Sequence, residues 1–153
     1  MGLHKYVSEV KLIDHNQQIV FDYLSNFENL SEYLNSGLIE KITQQVPQVR
    51  ITDFESDRDS CKFNITGMGI AQIRIVNREP FKTIKVESSG GLPVGFTFWV
   101  QLLPVTPQKT KMRLTLHVEM SAMIKMMAGN KLEEGLNQLA ETLSNLPYGS
   151  IQS

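Results

Sequence analysis

Cysteine is all but missing from this chain: Cys61 stands alone among 153 residues. One thiol excludes an internal disulfide and suits a reducing compartment. An excess of either charge is missing too. Fifteen Lys and Arg stand against 16 Asp and Glu, a formal net charge of −1, which gives no electrostatic case for nucleic acid. No Lys/Arg cluster adjoins an apolar helix face, and no run approaches the ~18 apolar residues of a membrane span. Neither an anchor nor a span is therefore expected. The opening Met1-Gly2-Leu3-His4-Lys5-Tyr6 lacks the apolar stretch of a signal peptide, and Tyr6 stands where a myristoylation signal needs Ser or Thr. A cytoplasmic location is the expectation. Repeats, low-complexity tracts and linkers are also lacking. A hydrophobic content of 41% over 1–153 then fits one domain with a core of its own.

What is present is a change of period. Residues 6–13 read as a first strand, with Val7 and Ile13 on one side and Val10 and Leu12 on the other. Asn16 is an N-cap candidate for a short helix through Leu24, in which Ile19 with Tyr23 and Val20 with Leu24 make i,i+4 apolar pairs. A second short helix is expected near residues 30–34, ending at Gly37, with further turns at 38–42 before Pro47. Alternation with period two then takes over in 49–54, 61–66, 70–76, 83–88, 96–103 and 111–120, separated by polar, Gly- or Pro-bearing turns. The last strand is the clearest: Met112, Leu114, Leu116, Val118 and Met120 oppose Lys111, Arg113, Thr115, His117 and Glu119. A sheet with one apolar face is antiparallel and needs a cover. After a candidate N-cap at Ser121, Leu132, Leu136, Leu139, Leu143 and Leu146 follow at steps of 4, 3, 4 and 3, a helical stripe that supplies the cover. A kink or restart is expected at Gly129-Asn130.

This order is an α+β helix-grip arrangement: a seven-stranded curved antiparallel sheet around a long C-terminal helix, with short helices after strand one. The chain resembles the START-like or SRPBCC superfamily, which includes Bet v 1-like carriers, lipid-transfer domains and polyketide cyclases. The likeness is carried by Ile19-Val20-Phe21-Asp22-Tyr23-Leu24-Ser25-Asn26-Phe27, by Phe98-Trp99-Val100, and by Thr110-Lys111-Met112-Arg113-Leu114-Thr115-Leu116. It implies a cavity between the sheet and the terminal helix, open towards the short helices. The alternation nominates its lining as Phe63, Ile65, Ile84, Val86, Phe96, Phe98, Val100, Leu114, Leu116 and Val118, with Met127, Leu132 and Leu136 from the helix. Ser88 shares the face of Ile84 and Val86, and Tyr23 and Tyr33 lie near the expected mouth. A largely apolar concavity with a few polar groups is the usual form of a small-molecule site. The same side chains could instead meet and fill a solid core, the reading that dense packing favours for any one of them.

Reactive groups are sparse in this pattern. His4, His15 and His117 are not spaced with other ligands as a metal site requires. Cys61 is expected inward as an inert small hydrophobe. Gly67-Met68-Gly69 and Gly90-Gly91 read as hairpin turns rather than phosphate loops. Gln72 and Arg74 are expected outward if Ala71, Ile73 and Ile75 take the interior. Three functions compete. The first is binding, transport or sequestration of a lipid-like or aromatic molecule, with no cofactor and no metal. A cyclase- or dehydratase-like enzyme is the second; it needs a positioned proton-transfer group, for which only Tyr23, Tyr33, Arg74 and Ser88 could serve. The third is an interaction or regulatory module, homodimeric in one version, using Trp99 on the outer sheet face.

Overall fold

A computed structural model describes residues 2–29, 51–65, 69–89, 95–128 and 130–151. The short helices expected within 30–42, and residues 66–68 and 90–94 with the turns expected there, lie outside the described residues. The chain order is β1 (Gly2–Val7), β2 (Lys11–Ile13), α1 (Gln17–Leu24), β3 (Ile51–Ser56), β4 (Ser60–Ile65), β5 (Gly69–Glu79), β6 (Thr83–Ser89), β7 (Phe96–Thr106), β8 (Lys109–Met120), α2 (Ala122–Ala128), α3 (Lys131–Ser144) and a 3-10 turn (Tyr148–Ile151). All strands pair antiparallel in one sheet ordered β1-β8-β7-β6-β5-β4-β3, with β2 also on β8. The sheet has eight strands rather than seven because the first expected strand is two.

The split comes from one inserted residue. Tyr6 pairs with Leu116, but Lys11 pairs with Met112, so the second stretch is offset by one position, as a β-bulge requires. Buried Ser8 fills the break: its N–H donates to Leu114 O at 2.8 Å and its Oγ accepts from Leu114 N–H at 2.9 Å. The offset separates Val7 from Ile13, which a regular strand would put on one face. Ile13 is buried, whereas Val7, Val10 and Leu12 are exposed. A second bulge lies between Ile75 and Asn77 in β5. Ala71 and Ile75 face inward as expected, and the shift then turns Arg78 inward, opposite Ile84. β5 therefore runs on through Glu79 instead of ending at Val76.

The β5–β6 turn keeps a non-glycine residue in the left-handed region: Phe81 has φ 67°. Lys82 N–H donates to Glu79 O at 2.9 Å across it, and Pro80 pre-sets the preceding position. Edge packing on Phe21 at 5.6 Å and a bond from Gln17 Nε2 to the Phe81 carbonyl hold the conformation.

On β8, Met112, Leu114, Val118 and Met120 are buried, and Lys111, Arg113 and Glu119 are exposed. Each fully buried aliphatic on this face contributes about 1.5–3 kcal/mol. The cover is α3, whose Leu136, Ala140 and Leu143 are buried. It packs chiefly on β1, β2 and β8. Two polar ties one helical turn apart fix its course: Asn137 Oδ1 accepts from Glu9 N–H at 2.8 Å, and Glu141 meets Lys11 Nζ at 2.7 Å. The helix thus runs alongside β1 and β2 in the same direction. As the glycine suggests, helix restarts after Asn130, giving α2 and α3 in place of one continuous helix. Asn16 caps α1 as expected, accepting from Gln18 N–H at 2.8 Å.

Candidate functional site

The inner face of the sheet is graded along its strands. At the end carrying the β3–β4, β5–β6 and β7–β8 turns it is closed: Ile84, Val100, Leu102, Met112 and Leu114 are buried beneath α1, the end of α3 and the 3-10 turn. At the other end, Phe63, Ile73, Ser88, Phe96, Phe98 and Leu116 are only half-buried, as are Tyr6 and His4 from β1 and Leu132 and Leu139 from α3. The register brings these together. Tyr6, Leu116, Phe98 and Val86 succeed one another across β1, β8, β7 and β6. His4, Val118 and Phe96 form the next row.

The expected lining residues fall into two groups on this face. Phe63, Phe96, Phe98, Leu116, Ser88 and Leu132 sit at the half-buried end; Ile84, Val100, Leu114 and Leu136 belong to the buried core, and Val86 and Val118 are buried beside the half-buried rows. Tyr33 lies outside the described residues, as do the side chains of Ile65 and Met127.

Tyr23 is not at a mouth. It is 3% exposed and packs edge-on against Tyr148 at 5.1 Å, at the closed end. The α1 stripe that carries Val20 and Leu24 into the core carries Tyr23 with it. Ser88 faces inward as expected, but its Oγ serves the sheet, accepting from Phe96 N–H at 2.9 Å and donating to Phe96 O at 3.3 Å. Arg74 is exposed on the outer face, where Gln72 also points. Trp99 lies on that outer face but is half-covered by its own sheet: His117 stacks edge-on at 4.5 Å, and Lys85 Nζ stands 5.8 Å from the ring.

Three inward polar residues were not legible as such. Arg78 donates from Nε and Nη2 to the Ser25 carbonyl at 3.1 and 2.8 Å, and from Nη2 to Asp59 Oδ1 at 2.6 Å. Ser25 is the C-cap of α1, so a cation closes the carbonyl end of that helix. Tyr148, wholly buried, donates its hydroxyl to the Leu143 carbonyl in the last turn of α3 and packs on His15 at 5.7 Å. Burial raises its phenol well above the ordinary range, with Tyr23 adding to the effect. The third is Tyr6. Its hydroxyl oxygen is buried and has no hydrogen-bond partner among the described residues. Cys61 is buried inward as expected; desolvation, with a smaller push from Asp57, takes its thiol up to about 12, so it is not a nucleophile at neutral pH.

A surface groove of about 530 Å³ lies at the closed end, outside the sheet–helix space, between Gln17 and Gln18 of α1, Phe81 and residues 104–107 at the end of β7. Among the described residues no ionisable side chain lines it. The inner sheet face, where apolar side chains from β1, from β4 to β8 and from α3 converge, is the better candidate site.

A bulged antiparallel sheet closed on a C-terminal helix in this topology is the helix-grip fold of Bet v 1-like, START-like proteins. Solved structures of that fold superpose over nearly the whole chain. Truncated norcoclaurine synthase from Thalictrum flavum matches with a TM-score of 0.59 at 8% identity, covering 94% of this chain and 93% of that one. A conserved protein from Geobacillus kaustophilus matches at 0.57 with 14% identity, over 92% and 90% of the two chains. A Chromobacterium violaceum protein matches at 0.53 with 14% identity, over 94% and 98%. At such identities the likeness is one of fold. No family model matches the sequence, and no curated protein does. Among the described residues no helix is long and apolar enough to cross a membrane.

Proposed function

We propose that this protein binds an apolar small molecule at the half-buried end of the space between the sheet and α3. The observation that carries the reading is the gradient along the inner face. Phe63, Phe96, Phe98 and Leu116 keep accessible area where Val100, Met112 and Leu114 on the same face have almost none. Apolar surface left half-solvated on a concave face is stabilised by whatever displaces its water. Norcoclaurine synthase, of the same fold, has been solved with dopamine and hydroxybenzaldehyde, so the fold accommodates aromatic ligands.

Binding is favoured over catalysis because the described groups nominated from the sequence for proton transfer are otherwise engaged, which leaves His4 and the Tyr6 hydroxyl at the half-buried end. Tyr23 is in the closed core, Arg74 is outside, and the Ser88 hydroxyl is committed to Phe96. The test is native mass spectrometry and calorimetry with fatty acids, quinones, flavonoids and naphthalenes, on wild type and on Leu116→Trp, which fills the proposed space. At least one class should bind wild type more tightly than about 1 mM. The variant should lose that affinity while remaining folded. If nothing binds wild type, or Leu116→Trp binds unchanged, the reading fails.

A further inference from the structure

We infer that the Tyr6 hydroxyl is the polar anchor of this site, so that the ligand class is an apolar molecule with one hydrogen-bonding oxygen, a carbonyl or hydroxyl, at its inner end. The inference rests on the binding site proposed above and specifies its chemistry.

Tyr6 lies at one margin of the half-buried surface. It is opposite Leu116, which stands between it and Phe98 in the same row, and one register step from His4 and Val118. Its ring packs on the core cluster, and its oxygen is removed from solvent without a partner among the described residues. That combination is costly. A buried hydroxyl without a hydrogen bond loses its hydration and recovers nothing, and native structures rarely leave one so.

The other buried hydroxyls on this side of the sheet show the contrast. Thr110 Oγ1 donates to His15 O at 2.8 Å, Ser8 Oγ bonds Leu114 N–H, and the Tyr148 hydroxyl bonds Leu143 O. Phenylalanine would provide the same packing at position 6 without the polar atom. The hydroxyl is therefore complementary to something other than the folded chain. An oxygen is the simplest complement, because a phenol donates to a carbonyl and both donates to and accepts from a hydroxyl. A ligand of this kind would place its apolar body over Leu116 and Phe98 and its oxygen at Tyr6. A pure hydrocarbon would leave the penalty in place. Sites with a buried polar group discriminate between ligands on this basis.

The test compares 2-acetylnaphthalene with 2-isopropenylnaphthalene, which has nearly the same shape but no oxygen, on wild type and Tyr6→Phe. Wild type should prefer the ketone by about two- to tenfold, and Tyr6→Phe should abolish the preference. Tyr6→Phe without ligand should melt at the wild-type temperature or above it. If both probes bind wild type equally, or the preference survives in Tyr6→Phe, the anchor is refuted while the site stands. A lower melting temperature for ligand-free Tyr6→Phe would show that the hydroxyl has a protein partner, which also refutes it. If neither probe binds and the wider panel does not bind either, the site itself falls. Binding from the panel restricted to molecules without oxygen overturns the anchor alone.

Discussion

Tyr148→Phe should destabilise the protein, and its cost can be worked out from one contact. The side chain is wholly buried, and its hydroxyl donates to the Leu143 carbonyl. That carbonyl belongs to the last turn of α3, where backbone acceptors have no helical partner. Its neighbours are supplied separately: Glu141 O by Ser144 Oγ and Asn145 Nδ2, and Thr142 O by Asn145 N–H. Phenylalanine keeps the ring and its contacts with Tyr23 and His15 but strands a buried carbonyl, a change that costs about 1–3 kcal/mol. For a domain of this length each kcal/mol moves the melting temperature by about 2–4 °C, so a fall of about 2–12 °C is expected. Tyr148→Ala removes the ring as well and should cost about 3–5 kcal/mol.

Urea unfolding measures this with two probes. Trp99 fluorescence reports the outer sheet face, and far-ultraviolet circular dichroism is dominated by the helices. The midpoint should fall with an unchanged slope, as it does when stability changes and the surface exposed on unfolding does not. The pH dependence has a definite sign. Burial raises the folded-state pKa of Tyr148 above its ordinary value of 10.0. The phenol's contribution is therefore fully present below pH 10 and lost as pH rises above it, and Tyr148→Phe should flatten that alkaline limb. A Tyr148→Phe midpoint within about 0.3 kcal/mol of wild type, well under the cost of a lost buried hydrogen bond, would refute the assignment of this hydroxyl as the cap of α3.

Arg78→Ala should cost about 1.5–3 kcal/mol in the same urea assay, because the charged bonds to the buried Ser25 carbonyl are lost. Asp59→Asn should cost less than about 1 kcal/mol, since that carboxylate is more than half exposed; equal costs would mean that the ion pair, not the helix cap, is what matters. Cys61, buried and pushed up to about 12 from 9.0, should react with a disulfide reagent at pH 8 about a thousandfold more slowly than a free thiol on ionisation grounds alone. Its labelling should speed up only through the urea transition, and rapid labelling of native protein would contradict its inward placement. Above pH 9 the unfolded chain gains a thiolate that the folded one resists, so Cys61 too should withdraw stability as pH rises.

Features that repeat along one element were legible in the sequence. The alternation of Met112 to Met120 and the leucine stripe from Leu132 to Leu146 are regular over several residues, and the structure turns both inward, with Leu116 and Leu132 at the half-buried end. Asn16 was legible because a cap acts on the residue two positions on. The bulges were not. An inserted residue leaves composition and local propensity unchanged and exists only relative to a partner strand, here β8 for Ser8 and β6 for Val76. Each bulge reverses the parity of one stretch of strand against the other, which is why Val7 is exposed while Ile13 is buried, and why Arg78 turns inward. The adjacent Ile75 and Val76 at the end of an alternating strand were the available signal for the second. Tyr23 went astray for another reason: an i,i+4 pair shows that a helix has an apolar side but not which end of the sheet that side meets.

The two ends of the inner face differ in polar satisfaction as well as in burial, and this divides the work of α3. Its direction along β1 and β2, fixed by Asn137 and Glu141, brings Leu143, Leu146 and Tyr148 to the closed end and Leu132 to the half-buried one. At the closed end the inward polar groups are matched: Thr110 to His15, Arg78 to Ser25 and Asp59, and Tyr148 to Leu143. At the half-buried end Ser88 is matched, and the Tyr6 hydroxyl has no partner among the described residues. Two tyrosine hydroxyls, both out of solvent on the same side of one sheet, therefore carry opposite expectations under the same substitution. Removing the one that has a partner weakens the fold; removing the other costs the fold nothing and changes what the site prefers. That opposition arises from where α3 closes on the sheet: its C-terminal half grips the buried core, and its N-terminal half stands over the half-buried surface proposed as the binding site.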